Sequence, residues 1–324
     1  MTKTKPPERR QSAPSRESPL EGQRSEVQRG GLEFGLVIVG DEILSGKRAD
    51  KHFPKVIELL AARGLQLAWA ECVGDSPDRI TATLRRAFAS GNVVFCCGGI
   101  GATPDDHTRQ CAAKALGVPL ELHPQAEVLI RQRMQDLARE QGTPYEPDRP
   151  DNIHRLNMGV FPKGARLIPN PYNKIPGFYI SGHVLSGAGP SQAASAPSGG
   201  SDPYAVGERG GVYFVPGFPV MAWPMIEWVL DQHYAHTFRD KAYAEKSVIV
   251  FGAIEAALTP LMEEIERTHP GVKVFSLPSV DHPQYGRHID LGVKGRPELV
   301  EPAYAQLVAG LKTFGAPLGP ELVR

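Results

Sequence analysis

Cysteine is scarce in this chain of 324 residues: the four are Cys72, Cys96, Cys97 and Cys111, with no Cys-x-x-Cys pair among them. That leaves neither a disulfide framework nor a thiolate zinc site, and points to a reduced, cytoplasmic protein. An excess of charge of either sign is also missing, with 36 Lys plus Arg against 36 Asp plus Glu and no block of like charge. A nucleic-acid or membrane-surface partner has no electrostatic footprint here. No apolar run approaches bilayer length, and the start is polar and rich in Pro, Arg and Glu, unlike a signal peptide. What remains is small-molecule chemistry, in a chain long enough for two ordinary domains.

Residues 1–31 hold almost no large apolar side chains and are expected to be disordered. From Phe34 the pattern is βα: an apolar strand over 34–39, then a helix over 50–63 with Phe53, Val56, Ile57, Leu59 and Leu60 as its inner face. A second strand over 65–73 follows, then a helix opened by Ser76-Pro77-Asp78 with Ile80, Leu84 and Phe88 inward. A third strand over 93–97 runs through a glycine-rich loop into a helix ending near Leu116. Three such units in succession predict an α/β sandwich: a mostly parallel sheet between two helical layers. A further helix covers 123–142, and short strands are expected at 177–181 and 212–215. Between them, 186–211 is rich in Ser, Gly, Ala and Pro and reads as a flexible, dispensable insertion. Residues 241–324 give strand, helix, two alternating strands and a last helix, the order of a small α+β domain after a 32–240 α/β domain.

The chemistry concentrates in two loops. Gly98-Gly99-Ile100-Gly101-Ala102-Thr103-Pro104-Asp105-Asp106 leaves the buried run Val93–Cys97, and Gly40-Asp41-Glu42-Ile43-Leu44-Ser45-Gly46 leaves the first strand. Glycines at a strand's carboxyl end let backbone N–H groups face an anion closely, and open α/β sheets bind ligands at that end. Paired aspartates would repel a bare phosphate, so phosphate with a divalent cation is one reading. The other is a helix start, with Thr103 as cap, Pro104 in the first position and acids in the first turn. Three glycines and two acids exceed what capping needs.

These two loops resemble the hallmark loops of the MoaB/Mog molybdopterin-binding fold, in the version found in the N-terminal part of competence/damage-inducible protein A (CinA). Asn170-Pro171 to Pro176-Gly177 and Pro216-Gly217-Phe218-Pro219 resemble that family's later turns, so the likeness spans about 34–240. The chain departs from the pattern at Ala102, where proline is usual, at Asn173-Lys174-Ile175, which replaces a small run, and at Phe218. The deamidase domain of full-length CinA has no counterpart before Arg324, so deamidation is not expected.

The resemblance implies that Asp106 handles metal and phosphate, that Asp41 is a second functional acid, and that Glu42 joins them. Asp106 and Asp41 would ligate Mg²⁺, which keeps waters and bridges to phosphates. Gly98, Gly99, Gly101, Gly177 and Gly217, with the Thr103 and Ser45 hydroxyls, would cradle a phosphate-bearing nucleotide or pterin. Asp41 and Glu42 have a second reading as loop-stabilising turn acids, Lys174 reads as a phosphate ligand or a solvated lysine, and His107 as a base or an exposed helix-start residue. Tyr172, Phe178 and Phe218 are candidates for stacking on a ring or for packing, and His282 and His288 lack metal-ligand spacing. Three functions follow: hydrolysis of nucleotide diphosphate linkages of the ADP-ribose or FAD type, binding or adenylylation of molybdopterin, or a non-catalytic scaffold. A homo-oligomer is expected, and the C-terminal unit is not expected to read nucleic acid, since no Gly-x-x-Gly clamp joins its helices.

Overall fold

The computed structural model describes residues 32–181, 210–238 and 244–323. The disordered-tail expectation for 1–31, nearly all of the 186–211 insertion and the 240/241 boundary lie outside the described residues.

The first strand, β1 (Phe34–Val39), is buried along its whole length, and its alternation explains why. Leu36 and Ile38 face one hydrophobic cluster, Val37 and Val39 another on the opposite side of the sheet. A strand covered on both faces carries no polar side, so it reads as a continuous apolar run. On one side α1, a single turn over Asp41–Leu44, leads to α2 (His52–Ala61). On the other lie α3 (Pro77–Ser90), whose Ile80, Leu84 and Phe88 are buried as expected, and α4 (Thr108–Leu116). Between these helices run β2 (Leu67–Val73) and β3 (Val93–Cys97).

A short pair, β4 (Leu120–Leu122) and β5 (Val160–Pro162), brackets α5 (Pro124–Glu140) and α6 (Pro150–Leu156). The main sheet is completed by β6 (Arg166–Ile168), β7 (Gly177–Ser181) and β8 (Gly211–Val215), and α7 (Pro219–His233) follows. Its strand order is β2-β1-β3-β8-β7-β6, with the first four parallel, β7 antiparallel to both its neighbours, and β6 again in the direction of the first four. The second unit contains β9 (Ala244–Val250), α8 (Glu255–Thr268), β10 (Lys273–His282), β11 (Gly286–Gly295), α9 (Pro297–Phe314) and β12 (Leu318–Val323). Its sheet, in the order β10-β11-β9-β12, is antiparallel throughout and packs its own core against the two helices.

Three expectations change. The buried residues of α2 are His52, Val56, Leu59 and Leu60, whereas Phe53 and Ile57 face outward at 44% and 42% exposure. The stripe falls at i, i+4, i+7 and i+8, one position round from the face read in the sequence. The helix after β3 begins at Thr108, not at Thr103. Thr108 N–H donates to Gly99 O at 2.9 Å and Asp106 N–H to Thr103 O at 3.0 Å, which closes a separate turn ahead of the helix. Asp105 and Asp106 are therefore loop acids rather than first-turn residues. Finally, β12 was not expected, because Gly319 and Pro320 interrupt it. It is an edge strand, where the missing proline N–H is tolerated, and a Cβ on Gly319 would lie 2.8 Å from the Phe251 ring.

Candidate functional site

Parallel order sets the carboxyl ends of β1, β3 and β8 side by side, so both glycine loops and the Pro216-Gly217-Phe218 turn open onto one cavity of about 440 Å³. Each loop is held by its own backbone. Gly40 N–H bonds to Val73 O at 3.0 Å, at the end of β2, and Gly98 N–H to Val215 O at 3.0 Å, at the end of β8.

Packing and backbone conformation demand the first two glycines after β3, and at Gly101 a side chain would crowd the Asp106 carboxylate. A Cβ on Gly98 would lie 2.3 Å from Val39 O, on Gly99 2.2 Å from Thr108 Oγ1, and on Gly101 2.5 Å from Asp106 Oδ2. Gly98 and Gly99 also take φ of 107° and 68°, which disfavours any side chain. Thr108, fully buried, donates its hydroxyl to Gly98 O at 3.0 Å and fixes the loop from behind. Among the described residues, the amides of Gly99, Ile100 and Gly101 make no hydrogen bond. Unpartnered amides in series form a nest suited to an anion.

Asp106 lines the cavity and accepts from Thr103 N–H at 2.8 Å and from Thr103 Oγ1 at 2.5 Å. Glu42 lines it from the opposite loop. Asp41 does not. It pairs reciprocally with Asp75: Asp41 N–H donates to Asp75 Oδ2 at 2.9 Å and Asp75 N–H to Asp41 Oδ1 at 3.1 Å. Asp75 occupies the cavity wall where Asp41 was expected. Burial raises the Asp75 carboxyl above the ordinary carboxylate range; the Asp41 backbone bond opposes this, and the charges of Asp41, Glu42 and Asp105 reinforce it.

The remaining expected residues separate cleanly. Gly217 lines the cavity, and a Cβ there would meet only Gly98 Cα, at 3.5 Å. Ser45 is exposed outside the lining, and Gly177 is a packing glycine whose Cβ would strike Phe214 O at 2.4 Å. Lys174 adopts φ 65° and pairs with Asp136 at 2.5 Å, away from the cavity. Its loop is braced by Asn170, whose amide donates to Asn173 Oδ1 at 2.8 Å and to Ile175 O at 2.9 Å. Phe178 is a core residue, stacked on Phe214 with centroids 4.3 Å apart, and Tyr172 is exposed. Phe218 alone of the three aromatics lines the cavity, with the Arg48 guanidinium 6.0 Å from its ring centroid. His107 precedes α4 as its N-cap residue, outside this lining.

Arg109 carries a role not read from the sequence. Only 4% exposed, it donates from Nη2 to Gly101 O at 2.6 Å and from Nη1 to Asn157 O, tying the glycine loop to the segment before β5. Burial lowers its pKa, opposed by the Asp106 charge. A cation on the inner face of a helix's first turn was the available signal. Among the described residues no three of His, Cys, Asp and Glu converge as metal ligands, and no helix is long and apolar enough to cross a membrane.

Residues 35–236 match the family model described as a probable molybdopterin binding domain. A protein of Caldivirga maquilingensis is 27% identical over 286 residues, 86% of this chain and 96% of its own length. A CinA-like protein of Anaeromyxobacter sp. strain K is 32% identical over 149 residues, 46% of this chain but only 34% of that relative. Among solved structures, CinA of Thermoplasma acidophilum, titled as of unknown function, has a TM-score of 0.46 at 24% identity, covering 62% of this chain and 98% of that one. MoaB of Thermus thermophilus, titled a molybdopterin biosynthesis enzyme, has a TM-score of 0.34 at 20% identity, covering 62% and 91%.

Proposed function

Because the chain belongs to the family of probable molybdopterin-binding domains, we propose that its glycine-loop cavity binds a phosphate-bearing heteroaromatic molecule and hydrolyses its diphosphate linkage. The observation that carries this reading is the pairing, across one cavity, of the unpartnered Gly99, Ile100 and Gly101 amides with the acids Glu42, Asp75 and Asp106. Amides hold the phosphate oxygens, and acids serve only if a cation or a proton transfer employs them.

Hard carboxylate oxygens from separate loops suit Mg²⁺, which accepts one or two protein carboxylates and takes its other ligands from water and phosphate. Asp106 and Glu42 would hold it, since among the described residues no three such acids converge as ligands; Asp41, engaged by the Asp75 amide, is not assigned to it. When bound, the ion supplies neutralisation of phosphate charge. Asp75 is assigned the proton transfer. Its raised pKa suits it to accept a proton from the attacking water as oxygen bonds to phosphorus and the bridging P–O bond breaks. The products are two phosphate monoesters. Arg109 acts indirectly, keeping the loop in register through Gly101 O.

The test is product formation from ADP-ribose and from FAD with Mg²⁺, alongside calorimetric binding of inorganic pyrophosphate. Binding with turnover supports the reading. Pyrophosphate binding without turnover of either compound leaves a second reading, binding or adenylylation of a pterin phosphate, which the family description favours.

A further inference from the structure

The two larger sheets end in four edge strands, β2, β6, β10 and β12, and three of them are blunted. β6 is three residues long and runs into Pro169. On β10, Pro278 has no N–H to offer, and the Val274 N–H is taken by Glu266 Oε1 at 3.0 Å. β12 carries Pro320 and an irregular register between Leu318 and Glu321. Shortness, proline and bulges are the devices that keep one sheet from pairing with another.

β2 is different. Its bulge falls at Ala68, near the strand's start, and Trp69–Val73 then pair with β1 in regular parallel register. No proline or lysine interrupts this run. Among the described residues, no hydrogen bond reaches the outward backbone groups of 69–72. The one charged side chain, Glu71, turns onto α3, where Thr83 Oγ1 and Arg86 Nη2 each donate to it at 2.7 Å. On the α2 side the strand presents only Ala70 and Cys72, both exposed. Next to them α2 shows a second apolar stripe, Phe53, Ile57 and Ala61, at i, i+4 and i+8. A groove of about 470 Å³ runs between stripe and strand, with Lys294 of β11 at its rim.

An open strand backbone beside an apolar shelf accepts another strand. A second copy of this chain supplies one that fits. Turned about a two-fold axis through Ala70, the edge meets itself antiparallel, with Ala70 against Ala70 and Trp69 against Glu71. That register avoids the like-charge contact an axis at Glu71 would create. Both α2 stripes then lie on the same face of the joined sheet, flanking the small Ala70 surface. α2 and β2 contribute 10 and 7 residues from each copy. With the turn between them they approach the ~20–30 residues per side of a stable interface.

We propose that the chain forms a two-fold dimer joined edge to edge through β2, with Phe53 and Ile57 of α2 sealing the joint. The contact is isologous and closes on itself, so it stops at two copies. None of these residues lines the glycine-loop cavity, and the proposal stands apart from the reading of that site.

Sedimentation equilibrium and disulfide trapping test it on the full chain. At micromolar concentration the wild type should sediment as a dimer. Ile57→Lys sets a charge into the joint from both sides and should weaken dimerisation by about 30-fold or more, the scale of an interface hot spot, with native circular dichroism retained. Ala70→Cys in a Cys72→Ser background should form a disulfide-linked dimer under mild oxidation, because directly opposed Cβ atoms lie about 4.5–5.5 Å apart. Asp78→Cys in the same background, exposed at the start of α3, should not. The trapping decides alone if Ile57→Lys misfolds. A wild-type monomer overturns the proposal and leaves the edge to a strand of another protein. A dimer that survives Ile57→Lys and is not trapped through Ala70→Cys is joined elsewhere, and overturns it equally.

Discussion

Asp41 and Asp75, 34 positions apart in the chain, each accept the other's backbone N–H, at 3.1 and 2.9 Å. The exchange locks the loop after β1 to the end of β2, and it decides which acid faces the cavity. Asp41→Asn keeps an acceptor oxygen and should leave folding and ligand affinity nearly unchanged. Asp41→Ala removes it and should lower stability by about 1 kcal/mol and weaken pyrophosphate binding by freeing the loop. Urea denaturation and calorimetry read the two effects; a loss of affinity in Asp41→Asn as large as in Asp41→Ala would return Asp41 to the ligand shell.

The raised pKa of Asp75 has a thermodynamic consequence. Between the ordinary carboxylate pKa and the raised one, the folded state binds more protons than the unfolded, so stability falls as pH rises through that window. Asp75→Asn should abolish this component. Melting temperature against pH, wild type minus variant, should show the wild type losing ground as pH climbs out of the acid range. A flat difference contradicts the assignment.

Two glycines on the cavity wall should respond in opposite ways. Gly99→Ala meets positive φ and Thr108 Oγ1 at 2.2 Å, and should cost about 2 kcal/mol or more of stability. Gly217→Ala meets only Gly98 Cα at 3.5 Å, so it should fold normally and weaken ligand binding by filling cavity space. Thermal melts with pyrophosphate and ADP titrations separate them, and a severe folding defect in Gly217→Ala would contradict the placement.

Arg109→Met leaves Gly101 O and Asn157 O without their donor, and should cost about 2–3 kcal/mol of stability together with phosphate affinity. Arg109→Lys, lacking the guanidinium fork, should recover little of either. Full recovery by lysine would show that charge alone matters at this position.

The sheet was legible because β1 and β3 are buried on both faces and end in glycines, a signal that survives without tertiary context. The turns around Asn170, Gly177 and Gly217 were legible from their prolines and glycines, and their connection with the site only as a resemblance. What escaped depends on contacts across the fold. Asp75 precedes Ser76-Pro77 and reads as the approach to a helix, until the parallel pairing of β1 and β2 brings it to Asp41. His52 reads as one residue of an amphipathic helix, until Gly217 O meets its ring from 165 positions away. The helix α7 hid behind Pro219 and Pro224, the first at its N-terminal position and the second held within a helix packed on the core.

The most direct measurement of the central claim is Mg²⁺-dependent cleavage of ADP-ribose and FAD by the wild-type chain and by Asp106→Asn, with thermal melts of both. Asn retains an oxygen for Thr103, so the loop should persist and the melting temperature should hold. With the carboxylate charge gone, turnover should fall by about 100-fold or more, the scale of losing one electrostatic contact to a charged transition state. Unchanged turnover in a folded Asp106→Asn protein, or no cleavage of either substrate by the wild type, contradicts the account.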